Sequence, residues 1–291
     1  VSLRLPWLVC TLLLVGQVGA VWAADAVRLV SLEGRLEAAS HLPAVFANHE
    51  EKLNLEVGAV SAQTASLRAD FFQVAGGLAM PLAKNIHLQD GIAFTNVSPQ
   101  SLRVSIKFPD VKRQAEILVR LALVQNVPKP VRMPLGELRF EVFPASVTKD
   151  LTELLQPSAD GAPPVVVFGP GQKLRHFLTG LHVPFEDGGT DRPDRSDPDR
   201  LYFGELATDE QFQQAQDQSG AEDRSGIARM VLFSPDESLP PGVYSERFPS
   251  GAFIHVTSPL LDNLDDDPRA QLELIKIVHL LSSPYHPPRV E

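Results

Sequence analysis

From about Leu53 to Phe143, apolar and polar side chains alternate with a period of two. Leu102, Val104, Ile106 and Phe108 are separated by Arg103, Ser105 and Lys107, the mark of a strand with one buried face. Ile117, Val119, Leu121, Leu123 and Leu138, Phe140, Val142 repeat the pattern, and Leu53, Leu55, Val57 and the stretch from Leu67 to Val74 read as further strands. Pro99, Pro109, Pro128, Pro130 and Pro134 fall between the runs and are expected in turns or at edges. The pattern predicts an antiparallel β-sandwich, immunoglobulin-like in general form, over residues 25–144. Residues 25–50 are ambiguous, with room for the first strand.

Beyond Phe143 the period lengthens. Val147, Leu151, Leu154 and Leu155 line one helical face that stops at Pro157, and Pro157 to Pro164 (PSADGAPP) reads as a linker, so residues 145–164 are expected to be a helical connector. From Val165 strands and helices alternate. Val165 to Phe168 is a short apolar strand, Gly169-Pro170-Gly171 a turn, and Leu174, Phe177, Leu178 and Leu181 a helical face. Leu201–Leu206, Ala228–Phe233 and Phe253–Thr257 are further strands. Thr208 with Gln211 forms a capping box for a helix to about Gln218, and Asp267 with Pro268 opens a last helix to about Ser282. Alternation of this kind predicts a parallel sheet over residues 165–283, leaving 284–291 as a tail.

The first 24 residues follow a different logic. Arg4 precedes the apolar run Leu8 to Val15, and small residues follow at Gly16, Gly19, Ala20, Ala23 and Ala24, the layout of a secretory signal cleaved after Ala23 or Ala24. An uncleaved anchor over Leu5–Ala24 is the other reading, since about 20 residues just span a bilayer. Gln17 and the small residues interrupt that stretch, and Cys10 lacks the context of a lipoprotein box. Val1 in place of Met fits an alternative start or a clipped gene, and both readings stay open.

Loss of this leader changes the composition. The single Cys goes with it, so the mature chain forms no disulfide and has no thiolate nucleophile. Both Trp residues also leave, and three Tyr (Tyr202, Tyr244 and Tyr285) beside 15 Phe make a poor platform for stacking sugar rings. Removal of Arg4 makes the formal charge one unit more negative than −10, which disfavours nucleic acid and anionic membranes as partners. With 19 Gly and 25 Pro, the chain stays well below the roughly 25–30% of Gly plus Pro that marks low-complexity sequence.

The second half, VVVFGPGQKLRHFLTGLHVPFED with RLYFGEL, RMVLFSPDESLPPG and AFIHVTSPLLDNLDDDPRAQLELIKIVHLL, resembles a flavodoxin-like domain of the class I glutamine-amidotransferase-like kind over about residues 160–283. Forms of that domain are attached to β-sandwich modules in bacterial glycoside-hydrolase-type proteins. The resemblance therefore implies carbohydrate-related accessory work. Amidotransferases of this fold use a Cys nucleophile on a strand-to-helix elbow, and a mature chain without Cys excludes that chemistry.

Several groups carry candidate chemistry. Gly169 and Gly171, between a strand and a helix with Lys173 and Arg175 nearby, can present backbone N–H groups to an anion, but Leu174 stands where a dinucleotide fingerprint needs its third glycine. A tight turn accounts for the same residues. Asp187, Asp191, Asp194, Asp197 and Asp199 are interleaved with Arg192, Arg195 and Arg200, so the loop from Glu186 to Arg200 reads as solvated rather than calcium-binding. Asp262, Asp265, Asp266 and Asp267 read as helix capping. Glu205, Ser234, Asp236, Glu237 and Ser258 lie at carboxyl ends of strands, where open α/β sheets bind ligands, so with Gly169 and Gly171 they form the expected crevice. His255 or His176 would have to serve as base to a serine, and neither GxSxG nor HExxH occurs.

These readings lead to a secreted or periplasmic binding or assembly protein without catalysis, cofactor or metal, acting on a protein or glycan partner in the cell envelope or outside, with no membrane span once the signal is gone. The alternative is a hydrolase, an esterase or glycan-acting enzyme, with its site at the carboxyl edge of the α/β sheet. A clipped piece of a larger enzyme is a third reading.

Overall fold

The alternating runs build two sheets that face each other across one core. β1 (Val27–Leu32), β3 (Glu50–Val57) and β6 (Gln100–Lys107) form an antiparallel sheet in the order β1-β3-β6. β2 (Ala44–Phe46), β4 (Gln63–Ala75), β5 (Leu78–Phe94), β7 (Ala115–Gln125) and β8 (Val131–Phe143) form the second, in the order β2-β8-β7-β4-β5. The computed structural model describes residues 26–32, 41–58, 63–94, 99–125, 129–157, 165–190, 200–206, 229–234, 240–248 and 251–282. Residues 1–24, read above as a signal, and residues 284–291 lie outside these residues, as do 158–164, read as a linker, and Thr208 with its expected capping box. No helix among the described residues is long and apolar enough to cross a membrane.

Alternation places every second residue inward. Leu53, Leu55, Leu102, Val104 and Ile106 from one sheet and Leu67, Phe71, Val119, Leu121 and Phe140 from the other bury in a single cluster. Phe108, just past β6, plugs this core edge-on against Phe71 and Phe140, with ring centroids 6.2 and 4.8 Å away.

The structure departs from the sequence reading in three places here. Pro134 lies inside β8 rather than between strands, beside the register shift at Leu121/Ala122, where a bulge tolerates its missing N–H. β5 was not expected at all: it is a 17-residue edge strand, mostly exposed, turned back from β4 by Gly76 and Gly77 at φ +56° and +80°. β2 pairs in parallel with β8, so the sheets are not wholly antiparallel.

The C-terminal half is one six-stranded sheet of β9 (Val165–Phe168), β10 (Glu186–Asp187), β11 (Leu201–Glu205), β12 (Arg229–Phe233), β13 (Val243–Phe248) and β14 (Gly251–Val256), ordered β10-β9-β11-β12-β14-β13. Five strands run parallel. The edge strand β13 is antiparallel to β14, which corrects the expectation of a purely parallel sheet. Helices α1 (Ser146–Leu154), α2 (Lys173–Gly180) and α3 (Pro268–Ser282) pack on one face, where Leu151, Leu155, Leu174, Leu178, Leu274 and Ile277 join Val167, Phe203 and Val231. α1 is therefore part of this core rather than a mere connector. Val166, Phe168, Tyr202, Met230 and Leu232 bury on the opposite face.

The two halves meet along α1, α3 and β2. Ala44, Phe143 and Val147 form a small core there, against Leu272 and Ile275 of α3. The Arg269 guanidinium donates through Nε to Glu141 at 2.7 Å and through Nη2 to the Leu42 carbonyl. The Thr148 hydroxyl donates to the Gln271 side-chain Oε1 at 2.7 Å, and Gln271 Nε2 donates to the Leu264 carbonyl at 2.9 Å.

Candidate functional site

β9 and β11 are neighbours, and the chain leaves β9 through α2 to β10 on the far side. Their carboxyl ends thus form the place where the sheet order reverses, the usual ligand crevice of an open α/β sheet. α2 begins there without local help: Gln172 at its N-cap makes no side-chain capping bond, the first turn holds no acid, and Lys173 puts a positive charge at the positive end of the helix. Glu205, at the end of β11, supplies what is missing. Its carboxylate accepts the Lys173 N–H at 3.2 Å and the Leu174 N–H at 3.1 Å, one on each oxygen.

The glycine turn makes room for this carboxylate. Gly169 has φ +93°, and a Cβ on it would stand 2.4 Å from the Glu205 backbone oxygen; a Cβ on Gly171 would stand 2.1 Å from Cγ and Cδ of the Glu205 side chain. Gly171 N–H also donates to the Glu205 carbonyl at 3.2 Å. The Gly169 and Gly171 N–H groups themselves go to the carbonyls of Gly189 and Glu205, as in a tight turn, and the carboxylate beside them takes its donors from Lys173 and Leu174.

The two nearby cations are committed as well. Lys173 bonds the Asp262 carboxylate, which raises its ammonium above the ordinary range; burial works against this and Glu205 adds a smaller pull. Arg175 is 8% exposed, and its guanidinium donates to the carbonyls of Gly169, at 3.0 Å, and Gly171, and to Asp187 at 2.9 Å. The Arg175 hydrogen bond, followed by the Gly189 N–H, holds the Asp187 carboxyl below its usual value. Glu186 and Asp187 therefore belong to a strand bound to Arg200 and Arg175, not to a free loop; residues 191–199, with the other aspartates of that run, lie outside the described residues.

Ser234 and His255 form a second group on the opposite face. Ser234 extends the β12–β14 ladder by donating its N–H to Val256 at 3.2 Å, and its Oγ lies 2.7 Å from His255 Nε2. Both are buried, at 5% and 4% exposure. His255 stands across from Leu232 on β12 and Tyr244 on β13, with its ring centroid 6.4 Å from that of Tyr244. Ser258 is half-buried in the bend after β14, and His176 is exposed on α2. Asp236 and Glu237 lie outside the described residues.

The expected crevice is therefore split. Gly169, Gly171 and Glu205 are brought together on the α2 face, while Ser234 joins His255 on the other. Asp267 accepts the Arg269 N–H at 2.8 Å as the cap of α3, and Asp262 serves Lys173, so the aspartate run is used in pieces. No group of three His, Cys, Asp or Glu among the described residues is placed to hold a metal ion. The part played by Arg175 was missed, because a guanidinium that braces a turn leaves no local pattern.

No family model matches the chain, and no curated protein matches it. Among solved structures it is similar to an alkylpurine DNA glycosylase of Pseudomonas fluorescens, at 15% identity and TM-score 0.25, over 40% of this chain and 30% of that one. It is similar to a Niemann-Pick type C2 protein from Japanese carpenter ant at 8% identity and TM-score 0.25, over 40% of this chain and 88% of that one. A family 123 glycoside hydrolase from Clostridium perfringens aligns at 10% identity and TM-score 0.22, over 66% of this chain and 43% of that one. Likenesses of this size carry neither a fold nor a function to the chain.

Proposed function

We propose that the chain is a binding or assembly protein without catalysis of its own, secreted or periplasmic, in which an immunoglobulin-like sandwich stands beside a flavodoxin-like α/β unit. The order β10-β9-β11-β12-β14 corresponds to the 2-1-3-4-5 order of that fold and supports the reading, with β13 as an addition at the edge. The observation that carries it is the Glu205 carboxylate over the glycine turn: the crevice where such a sheet takes its ligand is closed by the protein's own side chain. The partner is a protein or glycan met at another surface, and the amidotransferase-like resemblance makes carbohydrate-related work the first to try. Edman sequencing of the exported chain tests the compartment, with Ala24 or Asp25 as the expected first residue.

A second reading rests on one distance. Ser234 Oγ, 2.7 Å from His255 Nε2, has the geometry of a nucleophile and its base, which favours an esterase-type serine hydrolase. Treatment with a fluorophosphonate probe separates the two. The binding reading expects no labelling and no p-nitrophenyl acetate turnover above buffer; labelling that disappears in Ser234→Ala establishes the hydrolase.

A further inference from the structure

The junction between the two halves forms an open cleft of ≈ 480 Å³, within the range that holds small ligands. Phe46, Ala145, Phe177 and Leu181 give it an apolar wall, drawn from the end of β2, the start of α1 and the second half of α2. Its back wall asks nothing of a ligand, because Thr148 and Gln271 already bond each other and Leu264. Asn48 is likewise engaged, donating to Asp110 at 3.0 Å. A ligand here needs an apolar body and polarity at one end only.

Charge decides the sign of that end. No Lys or Arg is among the lining residues, and Asp265 is the one carboxylate. His49 also lines the cleft, and its Nδ1 is turned to the Glu51 carboxylate at 3.5 Å. Two helix ends meet the cleft. The first turn of α1 is positive in its partial charge and the last turn of α2, which holds no basic residue, is negative; fractional charges of opposite sign offset each other. What is left is the full negative charge of Asp265.

We propose that this cleft between the halves binds a small amphipathic amine, its apolar body against Phe46, Phe177 and Leu181 and its ammonium at Asp265. The site is separate from the Glu205 crevice and from the Ser234–His255 pair. It stands whether or not the chain is catalytic.

Calorimetric titration with phenylbutylamine, phenylbutanol and phenylbutyrate, which share a body and differ in their heads, tests it. The amine is expected to bind with a sub-millimolar Kd, as suits about a dozen non-hydrogen atoms in an apolar cleft, and the carboxylate least well. Asp265→Asn, at an exposed position, should weaken the amine by about three- to fivefold and bring it to the level of the alcohol. Gly180→Phe should abolish binding, since Gly180 lines the cleft and a Cβ there meets nothing within 4 Å, so the side chain leaves the backbone into open space. A melting curve verifies that both variants are folded. Equal affinities for the three compounds, unchanged binding in either variant, or no saturable binding overturns the assignment.

Discussion

At Gly171 a single methyl group has nowhere to go, because the space its Cβ needs is filled by the Glu205 side chain that caps α2. Gly171→Ala is expected to lower stability by about 1–3 kcal/mol by pushing the carboxylate off its two N–H donors. Glu205→Ala costs about 1–2 kcal/mol for the lost cap and empties the same space. In that background Gly171→Ala should cost almost nothing, so urea unfolding of the four proteins should show strong non-additivity. A second residue answers to pH. Burial acts to raise the Asp70 carboxyl, but the Asn85 N–H at 2.6 Å and the Arg132 guanidinium at 2.7 Å outweigh it and hold it below its ordinary 3.8. Its contribution is complete above that value and is lost as pH falls through the folded-state value. The melting-temperature gap between wild type and Asp70→Asn should therefore narrow on going from about pH 6 to about pH 3. Glycines after a strand and an acid ending the next one were visible in the sequence. Their mutual contact was not, because the cap comes from 31 residues further along and leaves no spacing to read.

Among the elements, those with one wet and one dry face were the legible ones. β6 and β7 declare themselves by alternation, and β9, β11 and β12 by short apolar runs. β5 does neither, since most of it is exposed on both faces, and Pro81, Asn85 and Gly91 break its rhythm. Those same residues, with Lys84, are ordinary protections of a free sheet edge. Leu78, 71% exposed, and Met80 near its tip bear little of the core, so Leu78→Lys with Met80→Lys should leave the unfolding free energy within about 0.5 kcal/mol in a denaturant titration. α1 behaves oppositely. Its amphipathic face is plain in the sequence and its allegiance is not, because a helical stripe shows that something covers it without saying what. Leu151 is fully buried with the α/β core, and Leu151→Ala should cost about 2–5 kcal/mol by the same measurement.

For the molecule as a whole, the change of period near Phe143 marks a change of architecture, while the physical boundary of the second core falls earlier than the proline-rich stretch after Pro157. A fragment of residues 145–282 carries its full helical layer; one of 165–282 loses Leu151 and Leu155 and bares the apolar surface beneath them. Expressed alone, the first should show a cooperative thermal transition and the second should not, as circular dichroism would record. The parallel pairing of β2 with β8 adds a consequence in time. Ala44 meets Glu141 only after roughly a hundred residues have been made, a long loop to close for three residues of ladder. Arg269, which fastens the Leu42 carbonyl and Glu141 together, is synthesised later still. A nascent chain halted before Arg269 has every strand of the sheets already described but no clamp on their junction. The cleft between the halves is thus a late product of synthesis, incomplete in every nascent chain that stops short of Gln271.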